Sequence, residues 1–95
     1  MNKYELAVVF SPNLDEEAKN AALEKVQGYI TRFGGTVEKV DEWGKRKLAY
    51  EIAKVNEGFY YFITFTADAS APAEIESRIR IMDAVLRYMI TRIEE

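Results

Sequence analysis

The chain has 95 residues, of which 48% are hydrophobic and none is Cys or His. This length suffices for one hydrophobic core and is too short for two, so we expect a single domain over residues 1–95. The absence of Cys and His excludes disulfides, thiolate and imidazole catalysis and the usual zinc ligands. A formal net charge of -3 argues against a general nucleic-acid binder, so RNA binding would need a local basic patch.

The N-terminal segment predicts a cytoplasmic location. It reaches an acidic residue at Glu5 and has no long apolar core leading to a small-residue cleavage site, so it is unlike a signal peptide. No apolar run approaches the ~20 residues that cross a bilayer. We therefore expect a soluble cytoplasmic protein that uses no membrane, cofactor or small-molecule substrate.

The first predicted element is a strand from Tyr4 to Phe10. Its side chains alternate, and Leu6, Val8 and Phe10 are expected to face the core. Ser11-Pro12-Asn13 then breaks the strand. Three acids at positions 15–17 follow, and negative charge of this kind favours a helix N-terminus.

A first helix is predicted from about Asp15 to the pair Gly34-Gly35, which supplies the stop. Gly28 inside this helix costs about 1 kcal/mol relative to Ala, which favours close packing of the helix against a flat surface. Lys19 is expected among the solvated charges. The predicted buried stripe consists of Ala18, Ala22, Val26, Tyr29 or Ile30, and Phe33.

The middle of the chain predicts two long strands. The first runs from Thr36 to about Ile52, with a change of phase near Gly44 that a bulge or turn would explain. Asn56-Glu57-Gly58 is a turn signal, and the run from Phe59 to Thr66 is the strongest strand segment of the chain. The odd positions of that run are large and apolar, so they are expected in the core.

A second helix and a fourth strand complete the pattern. Ser70-Ala71-Pro72 opens the helix, and its predicted buried stripe consists of Ile75, Ile79 and Met82. The segment from Val85 to Ile93 alternates as a strand. Its expected core side consists of Leu86, Tyr88 and Ile90.

The order β-α-β-β-α-β predicts an α+β protein of the ferredoxin-like class, with a four-stranded antiparallel sheet and both helices on one face. The first and third strands would be central, and the other face of the sheet would be open. The residues expected on that face are Ala7, Val9, Tyr60, Phe62, Arg87 and Met89. A partly apolar face indicates a protein or nucleic-acid partner, although such side chains can also simply stack on one another.

One segment combines charge with backbone freedom. Lys45, Arg46 and Lys47 follow Gly44 within a run that is otherwise typical of a strand. Three consecutive cations beside a glycine suit a phosphate backbone. The alternative is a solvated strand edge whose charges prevent aggregation.

Together, these segments resemble the bacterial small-subunit ribosomal protein six family over the whole chain. The resemblance is carried by Tyr4-Glu5, Trp43-Gly44-Lys45-Arg46-Lys47-Leu48-Ala49-Tyr50-x-Ile52-x-Lys54, Gly58-x-Tyr60 and Asp83-Ala84-Val85-Leu86-Arg87-Tyr88-Met89. It implies a structural protein of the small ribosomal subunit rather than an enzyme. It further implies binding to the central domain of small-subunit rRNA as a heterodimer with the small, basic small-subunit protein eighteen.

The resemblance also implies two sets of site residues. The side chains expected to contact rRNA are Lys3, Lys45, Arg46, Lys47, Arg87 and Arg92. Those expected to contact the protein partner, because exposed aromatic side chains and Met supply interface area, are Trp43, Leu48, Tyr50, Tyr60, Phe62 and Met89. Trp43 and Tyr50 could instead lie in the core, and Lys3 and Arg92 could be ordinary surface charges.

Two positions depart from the family pattern. Members usually carry Pro after Leu-Ala-Tyr, where this chain has Glu51, and Arg after the first Met, where it has Asn2. Glu51 keeps a backbone N–H donor in the second strand. Asn2 weakens the expectation of an RNA contact at the N-terminal end.

Two other classes of protein stay open. An RNA-recognition module has the same element order and stacks single-stranded RNA on aromatic side chains, but Glu57 and Tyr60 depart from its signature. A small enzyme on this fold would need converging groups. The acids at 15–17 suit the helix dipole, and Glu5 with Asp83 is a lone carboxylate pair, so we expect neither catalysis nor a metal site.

Overall fold

The computed structural model describes the backbone of residues 1–52 and 55–93 and the side chains of residues 1–48 and 56–93. The elements are β1 (Asn2–Phe10), α1 (Glu16–Arg32), β2 (Thr36–Ile52), β3 (Val55–Ala67), α2 (Ala71–Ile79) and β4 (Val85–Arg92). The strands form one antiparallel sheet in the order β2-β3-β1-β4, so β1 and β3 are central. Both helices cover one face, which confirms the ferredoxin-like prediction.

The hydrophobic core lies between the two helices and the covered face of the sheet. Its buried side chains are Tyr4, Leu6, Val8 and Phe10 of β1, Tyr61, Ile63, Phe65 and Ala67 of β3, Ala22, Val26 and Ile30 of α1, and Ala71, Ile75 and Ile79 of α2. The two strands therefore bury the alternate positions that the sequence predicted, including the odd positions of β3. Removal of this apolar surface from water is the main term that stabilises the fold.

Both ends of α1 have the caps that the sequence indicates. The Asp15 carboxylate accepts a hydrogen bond from the Ala18 N–H at 2.7 Å, which satisfies one donor of the first turn. At the other end the N–H of Gly34 donates to Thr31 and that of Gly35 to Ile30, at 3.1 and 2.8 Å. This is a Schellman motif, and it needs the positive φ of 83° that Gly34 adopts. Caps on either side thus fix the length of the helix.

The predicted stripe of α1 is wrong at its first turn. Ala18 is exposed, whereas Lys19 is only 6% exposed and lies in phase with Ala22, Val26 and Ile30. The spacing from Lys19 to these residues is three, seven and eleven positions, which keeps all four on one helix face. A charged side chain can occupy this place because carboxylates lie within reach of its ammonium group.

Gly28 does not pack closely against anything, contrary to the sequence prediction. It is exposed, and a Cβ built on it would meet no atom within 4 Å. We therefore expect Gly28→Ala to raise the free energy of unfolding by about 0.5–1 kcal/mol, the helix-propensity difference between Gly and Ala. Urea unfolding would measure the gain. Gly44→Ala is the contrasting variant, since Gly44 has a φ of 78° and should lose stability, and a destabilised Gly28→Ala would contradict this interpretation.

The predicted turn at Asn56-Glu57-Gly58 is wrong, because these residues belong to β3. Glu57 pairs with Lys47 and Gly58 with Arg46, so the β2–β3 pair extends further than expected. Gly58 has a packing reason to be glycine. A Cβ there would lie 2.4 Å from Cγ1 of Val9 on the neighbouring strand.

The predicted core side of β4 is wrong at one position. Val9 pairs with Arg87 but Phe10 pairs with Val85, so the register shifts at this end of the strand. As a result Val85, rather than Leu86, joins Tyr88 and Ile90 against the core. Met82 also packs there, but it lies beyond the end of α2 at Ile79.

Candidate nucleic-acid and protein interface

The sheet face opposite the helices is uncovered and carries many of the predicted site residues. Two adjacent rows of paired residues cross all four strands there: Gly44, Tyr60, Val9 and Arg87 in one, and Asp41, Phe62, Ala7 and Met89 in the other. The central members of both rows are apolar or aromatic. We call the set of Ala7, Val9, Trp43, Tyr60, Phe62 and Met89 the apolar patch.

A small cavity lies within the apolar patch. Its volume is about 190 Å³, and it is lined by Ala7, Val9, Tyr60, Phe62, Arg87, Tyr88 and Met89. Met89 is 49% exposed at its rim. Such a cavity has room for one side chain of a partner, which matches the way in which aromatic and Met side chains anchor interfaces.

Trp43 extends the apolar patch to the β2 edge of the sheet. Its side chain is 52% exposed, and its ring centroid lies 4.7 Å from that of Phe62. The alternative that Trp43 belongs to the core is therefore wrong. Leu48 is half-buried further along β2, and the side chain of Tyr50 lies outside the described residues.

A bulge at Gly44 decides which side chains of β2 face which way. The register shifts between Glu42 and Gly44, and Gly44 has a φ of 78°, so the predicted change of phase is confirmed. Glu42 faces the helix side, where its carboxylate contacts Tyr61. Trp43 faces the open side, and Lys45 faces the helix side again, with its Nζ 5.5 Å from the centroid of the Phe59 ring.

Strand alternation divides the basic run between the two faces of the sheet, and the bulge sets which cation faces which side. Arg46 lies on the open side, where its Nε donates to the Trp43 carbonyl at 3.1 Å and its guanidinium lies 5.7 Å from the indole centroid. Lys45 lies on the other side, and strand alternation places Lys47 with it. All three side chains are exposed. They straddle the edge of the sheet instead of forming the single patch expected from the sequence.

The remaining predicted cations occupy two places. Arg87 is exposed on the open face beside the apolar patch. Lys3 and Arg92 line a separate cavity of about 520 Å³ at the other end of the sheet, where the Lys3 ammonium lies 3.5 Å from Glu38. Lys3 and Val9 are six residues apart on β1, which corresponds to about 20 Å. The structure thus brings Lys3 and Arg92 together but does not join them to Arg87.

Charges on the Lys3 half of the open face come in opposite pairs. Besides the pair of Lys3 with Glu38, the Lys39 ammonium lies 3.5 Å from the Asp41 carboxylate. Exposed pairs of this kind contribute little to stability. Arg46 and Arg87 are the described cations that lie beside the apolar patch.

A polar cluster under β2, in which Lys19 and Tyr61 are buried and Glu16 and Glu42 are exposed, is a feature that the sequence analysis missed. Oε2 of Glu42 lies 3.5 Å from the Lys19 Nζ and accepts a hydrogen bond from the Tyr61 hydroxyl at 3.4 Å. The Lys19 ammonium also lies 3.2 Å from Glu16 and 4.7 Å from the centroid of the Phe59 ring. Two signals in the sequence could have found the cluster. Lys19 follows the spacing of the helix stripe, and a buried Tyr61 hydroxyl needs a hydrogen-bond partner.

The cluster raises the pKa of both titratable groups at its centre. Burial alone lowers the pKa of Lys19, but the hydrogen bond to Glu16 and the nearby charges raise it above its usual value. Burial raises the pKa of Tyr61, the Glu42 carboxylate raises it further, and the Lys19 ammonium opposes the change. The folded protein therefore holds both protons more tightly than the unfolded chain does.

These pKa directions predict that the fold weakens in alkali. The stabilisation is fully present below the unfolded pKa values, which are about 10, and is lost as pH rises through the higher folded values. Urea unfolding between neutral pH and pH of about 11 would measure this loss. We expect the free energy of unfolding of Tyr61→Phe to fall less over that range than that of the parent chain. The variant lacks the Tyr61 hydroxyl proton, so only the Lys19 ammonium of this cluster still titrates there. If the free energy of unfolding stays constant or increases at pH values above about 10, the raised pKa values of Lys19 and Tyr61 are contradicted.

The structure separates the carboxylates that an enzyme could have used. Glu5 pairs with Thr91 near the end of β4, whereas Asp83 precedes the start of that strand, next to Ala84, which accepts a hydrogen bond from Ser11. Among the described side chains, those of residues 1–48 and 56–93, no acidic cluster is arranged to hold a metal ion. In the same part of the chain, no helix is long and apolar enough to cross a membrane.

Comparison with known proteins gives one consistent family. The family model for ribosomal protein S6 matches residues 3–92. Small ribosomal subunit protein bS6 of Clostridium novyi (strain NT) is 52% identical over 95 residues, and that of Clostridium acetobutylicum is 50% identical, each match covering 100% of both chains.

Solved structures agree with the sequence comparison. The crystal structure of 30S ribosomal protein S6 from Thermotoga maritima superposes with a TM-score of 0.92 at 34% identity, covering 97% of this chain and 87% of that one. The C-terminal domain of the MgtC protein from Mycobacterium tuberculosis has a TM-score of 0.65 at 8% identity, which shows a shared fold alone.

Proposed function

The chain belongs to the ribosomal protein S6 family, and from that premise we propose that it binds the central domain of small-subunit rRNA together with small-subunit ribosomal protein eighteen. Family membership makes it a structural, non-enzymatic component of the small ribosomal subunit, so it acts in translation on the cytoplasmic ribosome. The observation that supports the proposal is the apolar patch on the open sheet face, in which Trp43 and Met89 are about half exposed, with Arg46 and Arg87 beside it.

Electrostatics favour joint binding over independent binding. The chain has a formal net charge of -3, so its overall field repels the phosphate backbone of RNA. A basic protein partner reverses the charge of the combined surface and adds its own phosphate contacts. Binding of the partner and binding of rRNA should therefore strengthen each other.

The apolar patch supplies the proposed surface for protein eighteen. Trp43 and Phe62 contact each other with tilted rings at its β2 side, Met89 lies at its β4 side, and Tyr60 lines the cavity between them. Aromatic side chains of this kind carry a large share of the energy at interfaces. Leu48, further along β2, would extend the same surface, and Tyr50, whose side chain lies outside the described residues, stays a predicted contact of the partner.

The basic side chains supply the proposed rRNA contacts. Arg46 and Arg87 lie on opposite edge strands and flank the apolar patch, while Lys45 and Lys47 reach around the edge of β2. Guanidinium and ammonium groups on phosphates fix position and orientation but read no base sequence. Lys3 and Arg92 line a second site about 20 Å away along β1, where Glu38 pairs with Lys3, and we propose a supporting phosphate contact there.

A stand-alone single-strand RNA binder would stack the RNA bases on side chains other than those of the apolar patch. The signature positions that stack bases in RNA-recognition modules correspond here to Phe59 and Tyr61, and both pack toward the helices, with Tyr61 only 1% exposed. Tyr60 and Phe62 do face the open side. A direct comparison of RNA substrates therefore distinguishes the two functions.

The test is equilibrium binding, in the presence of protein eighteen, to a folded central-domain rRNA fragment and to an unstructured RNA of the same length. We expect the folded fragment to bind more tightly at every salt concentration, because recognition uses the shape of a folded backbone. Equal or tighter binding of the unstructured RNA would favour the single-strand binder.

A further inference from the structure

Lys19 is an unusual residue for the buried face of a helix. It lies in the first turns of α1 and is 6% exposed, whereas Lys25 on the same helix is exposed. A buried ammonium is unfavourable unless charged partners compensate it. Its partners are Glu16 on its own helix and Glu42 on the sheet, so the Lys19–Glu42 pair joins α1 to β2.

Glu42 is held on the helix side of the sheet by two donors. The same carboxylate oxygen lies within 3.5 Å of the Lys19 Nζ and 3.4 Å of the Tyr61 hydroxyl. Glu42 is also the last residue before the register shift at Gly44. Its side chain, which is 58% exposed, therefore links the strand to α1 and β3 at the point where the bulge begins.

The orientation of Glu42 determines what the next residues present. Successive side chains of a strand point to opposite faces, so a Glu42 that faces the helices sends Trp43 to the open side. The bulge then keeps Arg46 on that same side, where it donates to the Trp43 carbonyl. Without the anchor, a change of register by one residue would move these side chains to the other face.

We propose that Lys19 is a positioning residue that acts through Glu42 to hold Trp43 and Arg46 on the open face of the sheet. It touches neither the apolar patch nor the arginines beside it. Its effect on the orientation of β2 belongs to the free protein, and its effect on partner and rRNA binding rests on the function proposed above. The structure thereby gives the helix layer a role in arranging a surface on the opposite side of the sheet.

The chain offers a direct spectroscopic readout, because Trp43 is its single Trp. Lys19→Met keeps an unbranched side chain and removes the charge, and Lys25→Met is the matched control at an exposed site of the same helix. We expect Lys19→Met to shift Trp43 emission and to increase its quenching by acrylamide, in a protein that circular dichroism and urea unfolding show to be folded. Lys25→Met should leave both properties unchanged.

A double-mutant cycle tests whether the effect passes through Glu42. In a Glu42→Gln background the charge pair is already lost, so Lys19→Met should change Trp43 quenching little further. Lys19→Met should weaken binding to protein eighteen by about threefold to tenfold, which lies within the range of coupling energies between neighbouring groups. Adding Lys19→Met to Glu42→Gln should weaken that binding little further than Glu42→Gln alone.

The outcomes separate the inference from the proposed function. Unchanged Trp43 quenching in folded Lys19→Met would overturn the positioning role. So would a change in quenching that Lys19→Met causes equally in the parent chain and in the Glu42→Gln background. If the parent chain binds neither rRNA nor protein eighteen, the proposed function fails, and the fluorescence cycle still decides the role of Lys19. If Lys19→Met does not fold, Glu42→Gln alone serves as the second variant, with the same expected change in quenching.

Discussion

Replacing Phe62 with Ala is expected to weaken binding to protein eighteen by about 2 kcal/mol, roughly a thirtyfold loss of affinity. Phe62 lies at the centre of the apolar patch, its ring centroid is 4.7 Å from that of Trp43 in a tilted contact, and it lines the cavity on the open face. Its removal takes contact area from the proposed interface and also leaves Trp43 without its neighbour. Titration calorimetry of the two proteins without RNA would measure the change directly.

The matched control is Phe33→Ala, the same substitution on the helix side. Phe33 is also half-buried, but it follows the end of α1 and packs against the core. Both variants should lose stability, so urea unfolding would first confirm that each is folded at the temperature of the titration. Only Phe62→Ala should lose affinity for the partner. Equal affinities for the two variants would show that the partner docks elsewhere.

Replacing Arg46 and Arg87 together with Ala should weaken rRNA binding and make its salt dependence shallower by roughly two in the slope of log K against log salt. The expected change follows from the loss of two phosphate contacts, each of which releases about one counterion. Filter binding to the central-domain fragment in the presence of protein eighteen, at four or more salt concentrations, would give the slope.

Charge alone must be separated from position in this experiment. Lys25→Ala with Arg80→Ala removes two positive charges from exposed sites on the helix side of the molecule. This control should change affinity slightly through the overall field and leave the salt slope near that of the parent chain. If the slope of the Arg46 and Arg87 variant also stays unchanged, these arginines do not contact phosphate.

The fold could be predicted from the sequence because its local signals agree with one another. Alternation in β1 and β3, the acids at the start of α1, and the Gly34-Gly35 stop each have one structural interpretation, and all of them occur in the structure. The fold class then follows from the order of the elements. Consistency of this kind between local and global preferences is what allows a sequence to specify one structure.

The errors occur where one residue type suits two environments. Gly58 suits a turn and also a strand position against Val9, and only the register of β3 with β2 distinguishes them. Gly28 suggested close packing, but it lies at an exposed helix position with open space around it. Lys19 is charged, which predicts exposure, yet Glu16 and Glu42 compensate its burial. Such cases depend on neighbours that are distant in the sequence.

The candidate site was predicted in composition but not in arrangement. The sequence indicated a change of phase at Gly44, but it did not fix where the register shift falls relative to Glu42. That detail decides that Arg46 faces the open side and Lys45 the helix side. Strand alternation separates the three adjacent cations onto two faces, and the bulge before them decides which face each one takes.

Joint binding is tested most directly by titrating the central-domain rRNA fragment with this protein alone, with protein eighteen alone, and with an equimolar mixture of the two, at moderate salt. Reciprocal coupling requires each protein to raise the affinity of the other for the complex by the same factor. We expect weak binding by this chain alone and an increase of about tenfold or more in its affinity when protein eighteen is present, equivalent to about 1.4 kcal/mol. Affinities that are the same with and without protein eighteen would contradict the proposed joint binding.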